Sequence, residues 1–436
     1  LVALGQRGIV FRAHHAVFPA VTRVNVATFM TGVYPEAHGL LGNNIFIPSV
    51  NPARGLDTGS RENLEAVARA EGTLLTAPTL AEILERSGKK LVGIGSGTSG
   101  AAFLLDPTIA NGAIIHQEFT RPESLAATVL ATLGPPPAGA MPNEALNRRV
   151  VDAYEAIALE RLHPDVTVLW ISDPDHTAHN KGIGTPVTLR ALELVDANIG
   201  RIEDSLKARG LLDRTDIIVT SDHGFSTHGG TLNLEAIVRP YAPVVVSEGA
   251  IYVTGGDRDA RVRAIVAALQ RNADVGAIFT RGGEVAGTLP FDVVRYGHAR
   301  AGDVLVSANW TREKNDEGYE GRTTDRGVAG HGASSPYDIH NVLIAAGPDF
   351  RSTASSDAPT GNVDLTPTLL RLLGLPVPPL MTGRVVEEAL RGGSAPAVSH
   401  ETQTVRSADG AYELTAHISI AAGRRYLDDT EVKRRQ

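Results

Sequence analysis

The stretch LELVDANIGRIEDSLKARGLLDRTDIIVTSDHG, residues 192–224, contains a helix and a strand that together indicate how the chain folds. Apolar residues recur at helical spacing over residues 192–206, and an apolar strand at 216–220 follows. Asp222 and His223 come directly after that strand. A buried strand that places an acid and an imidazole at its tip predicts that these groups are paired or bind a metal ion.

The same helix-then-strand unit occurs twice before this stretch. A helical pattern that starts at Thr79 leads to an apolar strand at 91–94, and a second at 145–162 leads to a strand at 166–171. Helices that alternate with apolar strands predict an α/β fold with a mainly parallel sheet and helices on both faces.

This alternation is interrupted in the middle of the chain and stops near its end. We expect a core at residues 1–240 and 329–395, a small α+β cap insert at 241–328 and a C-terminal hairpin or tail at 396–436. The segment 45–71 is rich in Pro, Gly, Asn and Asp and predicts a long surface loop. Within the insert, the patterns predict strands at 244–246, 251–253, 293–294 and 304–306, a helix at 261–269 and a polar loop at 311–330.

The composition excludes several classes of site. Cysteine is absent, which excludes disulfides, thiolate ligands and a cysteine nucleophile, so any metal ligands must be Asp, Glu, His or hydroxyl groups. The net charge of -8 comes without a cluster of Lys and Arg, so no nucleic-acid-binding patch is predicted. No apolar run is long enough to predict a membrane span.

A second cluster of polar residues, Ser172-Asp-Pro-Asp-His-Thr-Ala-His179, follows the strand at 166–171. The carboxyl ends of parallel strands are where doubly wound sheets bind ligands. Asp175 and His179 are four residues apart, so on a helical turn they share one face and can hold one ion. Taken alone, the cluster is more typical of an exposed polar loop.

A third cluster, Gly330-His331-Gly332, precedes the strand that starts at Asn341. An isolated histidine between glycines is usually part of a turn. The joint pattern of Asp-x-x-x-His, Asp-His-Gly and Gly-His-Gly, each at a junction of strand and loop, favours a metal centre over three coincidences.

The stretch FPAVTRVNVATFMTGVYPEAHGLLGN, residues 18–43, supplies a candidate nucleophile in Thr22, although most threonines are structural. Four motifs together resemble the nucleotide pyrophosphatase/phosphodiesterase branch of the alkaline phosphatase superfamily. These are Thr22 with Thr31-Gly-x-Tyr-Pro-x-x-His-Gly-x-x-x-Asn43, then Asp173-Pro-Asp-x-x-x-His179, Ser221-Asp-His-Gly224 and Gly330-His-Gly332.

The resemblance implies an alkaline phosphatase-like fold and two Zn²⁺ ions about 4 Å apart, although Mn²⁺ or another divalent ion could replace zinc. The residues that match one zinc site are Asp175, His179 and His331, and those that match the other are Asp222, His223 and the hydroxyl of Thr22.

The same resemblance implies roles in catalysis for residues near the nucleophile. A threonine hydroxyl needs metal coordination to lose its proton at neutral pH, and Thr22 would then attack phosphorus and form a phospho-threonine. Asn43 matches the amide that holds a non-bridging oxygen together with the backbone N–H after the nucleophile. Arg23 could bind a terminal phosphate of the substrate or pair with a surface acid.

One ligand that the resemblance implies has no counterpart in the sequence. Residues 1–8 read as the end of a helix followed by a strand at 9–11, so we expect an upstream strand and the front of this helix before Leu1. That strand would carry a further aspartate for the zinc ion beside Thr22. Any export signal would also lie upstream, and the family suggests an exported or periplasmic protein.

The loop after the strand at 91–94 bears on the substrate. Similar phosphatases and phosphonate hydrolases carry a Lys-x-Lys or Lys-x-Arg pair there, whereas this chain has the neutral stretch Ser96–Ser99. A monoanionic diester needs less positive charge than a dianionic monoester, so we expect a small phosphodiester or nucleotide as substrate. The alternatives are a phosphomonoesterase or phosphonate hydrolase that uses Arg23, and a non-catalytic member that binds metal or phosphate.

Overall fold

A computed structural model describes residues 1–109 and 111–435. The α-helices in these ranges are α1 (Val2–Arg7), α2 (Thr22–Thr31), α3 (Pro35–His38), α4 (Arg61–Glu71), α5 (Leu80–Arg86), α6 (Ser99–Leu104), α7 (Ala126–Leu133), α8 (Glu144–Ala153), α9 (Asp175–Lys181), α10 (Pro186–Ala208), α11 (Leu234–Val238), α12 (Arg258–Arg271), α13 (Pro336–Ile339) and α14 (Leu365–Leu372). Among them there is no helix both long and apolar enough to cross a bilayer.

The β-strands of the same ranges are β1 (Ile9–His15), β2 (Asn44–Ile45), β3 (Leu56–Asp57), β4 (Leu91–Gly95), β5 (Ala113–His116), β6 (Thr120–Arg121), β7 (Val166–Trp170), β8 (Ile217–Thr220), β9 (Ser226–His228), β10 (Val244–Ser247), β11 (Ala250–Val253), β12 (Val275–Thr280), β13 (Leu289–Pro290), β14 (Val304–Ala308), β15 (Trp310–Lys314), β16 (Glu320–Thr323), β17 (Ala329–Gly330), β18 (His340–Ala346), β19 (Ala354–Ser356), β20 (Thr360–Gly361), β21 (Val398–Arg406), β22 (Tyr412–Ala421) and β23 (Arg424–Arg434).

Two sheets with helices packed against them form the framework of the core. In one, the order is β6-β5-β4-β7, and β4 is parallel to both β5 and β7. In the other, the order is β19-β1-β18-β8, with β18 antiparallel to β1 and β8 and with β20 also pairing with β1. The predicted α/β class is therefore confirmed, and both sheets are mixed, because β6 runs antiparallel to β5 in the first and β18 runs against its neighbours in the second.

Strands β7 and β8 are edge strands, one in each sheet, and their side chains are half-buried. Helix α10 connects them along the chain, as the helical pattern at 192–206 predicts. It starts earlier than the pattern does because Pro186 occupies its first turn and the Thr185 side chain accepts a hydrogen bond from the backbone N–H of Thr188. The tips of β7 and β8 carry the polar clusters that the sequence singles out.

The predicted surface loop at 45–71 is wrong in its second half, where α4 runs from Arg61 to Glu71. The side chain of Ser60 caps this helix by accepting from the backbone N–H of Asn63, and Leu64 and Val67 are buried one turn apart. The Pro- and Gly-rich residues before Ser60 obscure this short apolar stripe in the sequence.

The insert contains a five-stranded sheet in the order β10-β11-β14-β12-β13. The predicted strand at 293–294 is wrong, since Phe291–Val293 forms a 3-10 turn, and β12 was not predicted. Buried apolar side chains of this sheet and of the rest of the chain form one continuous cluster. Within it, the ring centroids of Phe18 and Phe279 lie 5.5 Å apart.

The predicted loop at 311–330 is also wrong, because its residues form β15, β16 and β17. These strands join β9 in a sheet of order β15-β16-β9-β17. The side chains of residues 311–314 are exposed and mostly charged, so the strand carries no apolar alternation. Here, backbone pairing rather than burial defines the strands.

The C-terminal segment forms a three-stranded antiparallel sheet, β21-β22-β23, in place of a simple hairpin. The side chains of β22 alternate between buried and half-buried positions over most of its length, which agrees with the alternation that the sequence shows at 412–420. The division of the chain into core, insert and tail stays a prediction.

Candidate active site

The first cluster consists of Asp175, His179 and His331. Asp175 and His179 lie on α9, directly after β7, and Nε2 of His179 is 3.3 Å from Oδ1 of Asp175. His331 follows β17, and its Nε2 is 3.6 Å from the same oxygen. One ligand atom from each residue lies within 4.8 Å of the other two, so helix α9 and the segment after β17, which are distant in sequence, converge on one point.

The second cluster consists of Thr22, Asp222 and His223. Asp222 and His223 follow β8, and Nε2 of His223 is 3.2 Å from Oδ2 of Asp222. Thr22 is the first residue of α2, and its Oγ1 is 3.3 Å from Nε2 of His223. The hydroxyl therefore lies at a helix N-terminus, where the partial positive charge of the helix favours an anion.

The two clusters meet at Asp175, because Nε2 of His223 lies 3.9 Å from Oδ1 of Asp175. That oxygen is buried and has no hydrogen-bond partner among the described residues. A buried carboxylate oxygen that faces three imidazole nitrogens needs a proton or a cation in the space between them.

Each of the three imidazole rings is oriented by a backbone carbonyl. The contacts are Nδ1 of His179 with Ala329 O at 3.0 Å, Nδ1 of His223 with Gly224 O at 2.9 Å, and Nδ1 of His331 with Ala20 O at 2.9 Å. A carbonyl oxygen only accepts, so each Nδ1 donates its proton and each neutral ring has its lone pair on Nε2. This is the arrangement by which proteins orient histidines as metal ligands, and the residues fit divalent ions.

The stacked rings of His223 and His331 carry different charges in the metal-free protein. Their centroids are 3.4 Å apart and their planes differ by 13°. Burial and the charge on His223 lower the pKa of His331 to about 3. Burial also opposes protonation of His223, but the carboxylate of Asp222 outweighs it and raises the pKa of His223 to about 9. His331 is thus neutral and ready to bind a metal, whereas His223 holds a proton at neutral pH.

Asp173, two residues before Asp175, has a structural role. Its Oδ2 accepts from the backbone N–H of Asn143 at 2.6 Å and from the side chain of Asn147 at 2.9 Å. Its Oδ1 accepts from the hydroxyl of Thr177 at 2.7 Å. The carboxylate is buried and fully used in fixing the start of α9, so it holds Asp175 in place.

Asn43 lies beside the nucleophile, where the sequence places it. Its Oδ1 accepts from the backbone N–H of Arg23 at 3.0 Å. The amide and the backbone N–H that follows Thr22 are therefore adjacent, and in this structure they pair with each other. A phosphoryl oxygen could bind both once the amide turns its nitrogen toward the site.

The side chain of Arg23 is packed among acceptors and is only 12% exposed. Its Nε donates to the hydroxyl of Thr58 at 3.3 Å, and its Nη2 lies 3.8 Å from a carboxylate oxygen of Asp57. Burial lowers the pKa of Arg23, and the carboxylates of Glu248 and Asp57 oppose that effect. The charge that would bind a terminal phosphate is thus already offset.

Glu248 is a residue of this region that the sequence reasoning missed. It occupies the tip of the β10–β11 hairpin with a φ of 55°, and its Oε2 accepts from the backbone N–H groups of Asn43 at 2.5 Å and Asn44 at 3.3 Å. A Cβ on Gly42 would lie 2.5 Å from this oxygen, so the loop admits the carboxylate because residue 42 is glycine. The Glu-Gly pair between two apolar strands signals the turn, but nothing local signals where the turn docks.

Comparisons with known proteins show the family of the chain. A family model described as type I phosphodiesterase / nucleotide pyrophosphatase matches residues 1–332. Ectonucleotide pyrophosphatase/phosphodiesterase family member 3 of Bos taurus is 27% identical over 210 residues, which are 48% of this chain and 20% of that protein. A venom phosphodiesterase of Macrovipera lebetinus is 26% identical over 215 residues, 48% of this chain and 21% of that protein. The matched region is thus about a fifth of the length of these curated relatives.

Solved structures show the same fold at low sequence identity. Murine ectonucleotide pyrophosphatase/phosphodiesterase 5, in an inactive threonine-to-alanine form with AMP, has a TM-score of 0.63 at 18% identity and covers 87% of this chain and 90% of that chain. A mutant of the alkaline phosphatase PafA has a TM-score of 0.68 at 14% identity and covers 89% and 93%. The alkaline phosphatase-like α/β fold that the motifs predict is confirmed.

Proposed function

The chain belongs to the type I phosphodiesterase / nucleotide pyrophosphatase family, and we propose that it hydrolyses phosphodiester or pyrophosphate bonds of small substrates through a phospho-threonine at Thr22. The observation that carries the proposal is the buried Oδ1 of Asp175, which lies between Nε2 atoms from both clusters. The two groups of potential ligands are therefore adjacent, as the ligands of a two-metal hydrolase must be.

Two Zn²⁺ ions are the proposed cofactors, with Mn²⁺ or another divalent ion as the alternative. Both clusters offer only imidazole nitrogen, carboxylate oxygen and hydroxyl oxygen, a donor set that suits zinc. When bound, the ions lower the pKa of a nearby hydroxyl and offset negative charge on the phosphoryl group. Asp175, His179 and His331 would hold one ion, and Asp222, His223 and Thr22 would hold the other.

Thr22 is the proposed nucleophile because it is the hydroxyl that the second cluster contains. Its Oγ would form a bond to phosphorus while the bond to the leaving oxygen breaks on the opposite side. Water would then attack the phospho-threonine, releasing a phosphate monoester and restoring the hydroxyl. The position of Thr22 on the first turn of α2 fixes the direction of attack.

Asn43 and the backbone N–H of Arg23 are proposed to hold a non-bridging oxygen of the phosphoryl group. Both groups are already within hydrogen-bond distance of each other beside Thr22. Once the Asn43 amide has turned its nitrogen toward the phosphoryl group, the two N–H donors would stabilise the charge that develops in the transition state.

The charges around Arg23 favour a diester over a monoester. Its guanidinium is paired with Asp57, and the carboxylate of Glu248 also lies close enough to oppose the loss of its charge. The stretch Ser96–Ser99 is neutral, and Ser96 is engaged with Asn147 at 2.7 Å. A dianionic terminal phosphate would thus meet little uncompensated positive charge beyond the metal ions.

Zinc-loaded protein assayed on bis(4-nitrophenyl) phosphate and on 4-nitrophenyl phosphate tests this proposal. We expect faster turnover of the diester and, after acid quenching, a labelled phosphate ester on Thr22. Faster turnover of the monoester, lowered further by Arg23→Ala, would instead support a phosphomonoesterase or phosphonate hydrolase. Bound zinc without turnover of either ester would support a non-catalytic member.

A further inference from the structure

A second group of potential metal ligands lies where the C-terminal sheet meets the core. His15 ends β1, His340 begins β18 directly opposite it in the antiparallel ladder, and Asp428 lies on β23. One ligand atom from each lies within 4.8 Å of the other two. This group shares no residue with the two catalytic clusters, and we refer to it as the tail site.

The hydrogen bonds of His15 leave a lone pair facing a carboxylate. Its Nδ1 is 2.8 Å from the backbone carbonyl of Thr360, so Nδ1 carries the proton. Its Nε2 is 2.9 Å from Oδ1 of Asp428, and the His15 side chain is only 2% exposed. In a neutral ring the Nε2 lone pair would face a carboxylate oxygen, so the contact requires either a proton shared between the two atoms or a cation.

Asp428 is directed at this point by an irregularity in the tail sheet. Ile418 pairs with Leu427 and His417 pairs with Asp429, so Asp428 is the extra residue of a β-bulge. A bulge turns one side chain out of the alternation of the strand and is often retained for that purpose. The second oxygen of Asp428 accepts from the hydroxyl of Ser419 at 2.8 Å, which fixes the carboxylate.

His340 distinguishes the two explanations of this contact. A shared proton accounts for the pair of His15 and Asp428 but gives no role to the imidazole of His340, whose ring centroid is 4.5 Å from that of His15. Two imidazoles and one carboxylate form a typical three-ligand set for a borderline divalent ion. Two of these ligands, His15 and Asp428, are also oriented by hydrogen bonds to other groups of the protein.

We propose that the tail site binds a divalent ion such as Zn²⁺, separate from the catalytic ions, and that the ion ties β23 to β1 and β18. The ligands come from residues 15, 340 and 428, so the ion would cross-link three strands that are distant or separate in sequence. Bound only in the folded state, it would raise the stability of the whole protein.

The test counts zinc in the full chain and in variants of the tail site. Protein is stripped with a chelator, reloaded with Zn²⁺ and analysed by mass spectrometry of the metal. We expect His340→Gln and Asp428→Asn each to bind one zinc fewer per chain than the unaltered protein while phosphodiester turnover at saturating zinc stays the same. Because the catalytic clusters are unaltered in every sample, this difference does not depend on whether the proposed function is correct.

A matched control is available on β22 and β23, the two strands that form the bulge at Asp428. Nδ1 of His417 lies 2.8 Å from Oδ1 of Asp429, an imidazole–carboxylate pair outside the three-ligand set, so Asp429→Asn should leave the zinc count unchanged.

A second measurement is thermal stability: zinc should raise the Tm of unaltered protein by about 2 °C or more beyond its effect on the Tm of His340→Gln. His340→Gln leaves the contact between His15 and Asp428 in place, so the test remains valid if Asp428→Asn does not fold. Equal zinc counts in the unaltered protein and His340→Gln would overturn the proposal and leave a shared proton as the explanation.

Discussion

The two clusters of the candidate active site differ in how much of a metal site they supply from side chains alone. The first has a carboxylate and two imidazoles whose ligand atoms all lie within 4.8 Å of one another. The second has one carboxylate, one imidazole and the hydroxyl of Thr22, which is itself the proposed reactant. Under the proposed mechanism, the first cluster would keep all three of its ligand side chains through the reaction, whereas the Thr22 hydroxyl of the second would be consumed as the nucleophile.

The charges of the two clusters also favour metal binding at the first. His331 is neutral in the metal-free protein because its pKa is lowered to about 3, chiefly by burial. His223 is protonated near neutral pH because Asp222 raises its pKa to about 9 against the effect of burial. An ion must displace a proton to bind the second cluster, so we expect weaker metal affinity there.

The largest expected effect is that of removing the hydroxyl from the second cluster. Thr22→Ala should lower phosphodiester turnover by roughly 10³-fold or more and abolish the covalent intermediate, because no other group occupies its place. Thr22→Ser keeps the hydroxyl and should retain part of the activity. Rates and trapped phosphoprotein are the measurements, and a fully active Thr22→Ala would remove Thr22 from the mechanism.

The difference in metal affinity is the next prediction. Titration of zinc-loaded His340→Gln protein, which lacks a complete tail site, with a competing chelator should remove the ions of the two clusters in separate steps, with affinities that differ by about tenfold or more. Asp222→Asn should abolish the weaker step and leave the tighter one, while His331→Gln should weaken the tighter one. Loss of the tighter step in Asp222→Asn would reverse the ranking of the clusters.

A smaller effect is expected from Glu248, which lies beside Asn43 and next to the second cluster. Glu248→Gln removes the negative charge that offsets Arg23, so kcat/KM for the monoester should rise by roughly three- to tenfold relative to the diester. Asp259→Asn, an exposed acid of the same insert, is the control and should change neither value. An unchanged ratio in Glu248→Gln would mean that Arg23 does not reach the substrate.

The smallest effect concerns the stability of metal-free protein. The pKa of His223 is raised from its ordinary value of 6.5 to about 9, so its charged contact with Asp222 stabilises the fold fully below about pH 6.5. That contribution should be lost as the pH rises through 9, and His223→Gln should lack this part of the pH dependence. Urea unfolding between pH 6 and 10 measures it. If the unaltered apoprotein instead becomes more stable between pH 6 and 10, the pKa of His223 is not raised as described.

The sequence predicted the features that depend on local pattern. The apolar strands at 91–94, 166–171 and 216–220 and the helices before them are present, because burial and helical spacing specify them residue by residue. The ligand residues could be found since they follow those strands directly. The convergence of Asp175, His223 and His331 could be inferred only from the resemblance to a family.

The errors concern elements that are defined by distant contacts. Strand β12 is buried along its whole length and shows no alternation. Strand β15 has exposed, mostly charged side chains and is defined by its pairing with β16. The docking of Glu248 joins residues about two hundred positions apart, and no periodicity in either segment encodes it.

The hairpin tip at Glu248 has a consequence for how the sequence can vary among relatives. A Cβ on Gly42 would lie 2.5 Å from Oε2 of Glu248 and 2.6 Å from the backbone oxygen of Asn44, and a Cβ on Gly55 would lie 2.4 Å from Oγ of Ser247 in the same hairpin. Positions 42, 55, 247 and 248 are therefore expected to change together. A relative with a larger residue at position 42 should lack the glutamate at 248, and grafting the insert from one relative to another should succeed only when the recipient loop is exchanged with it.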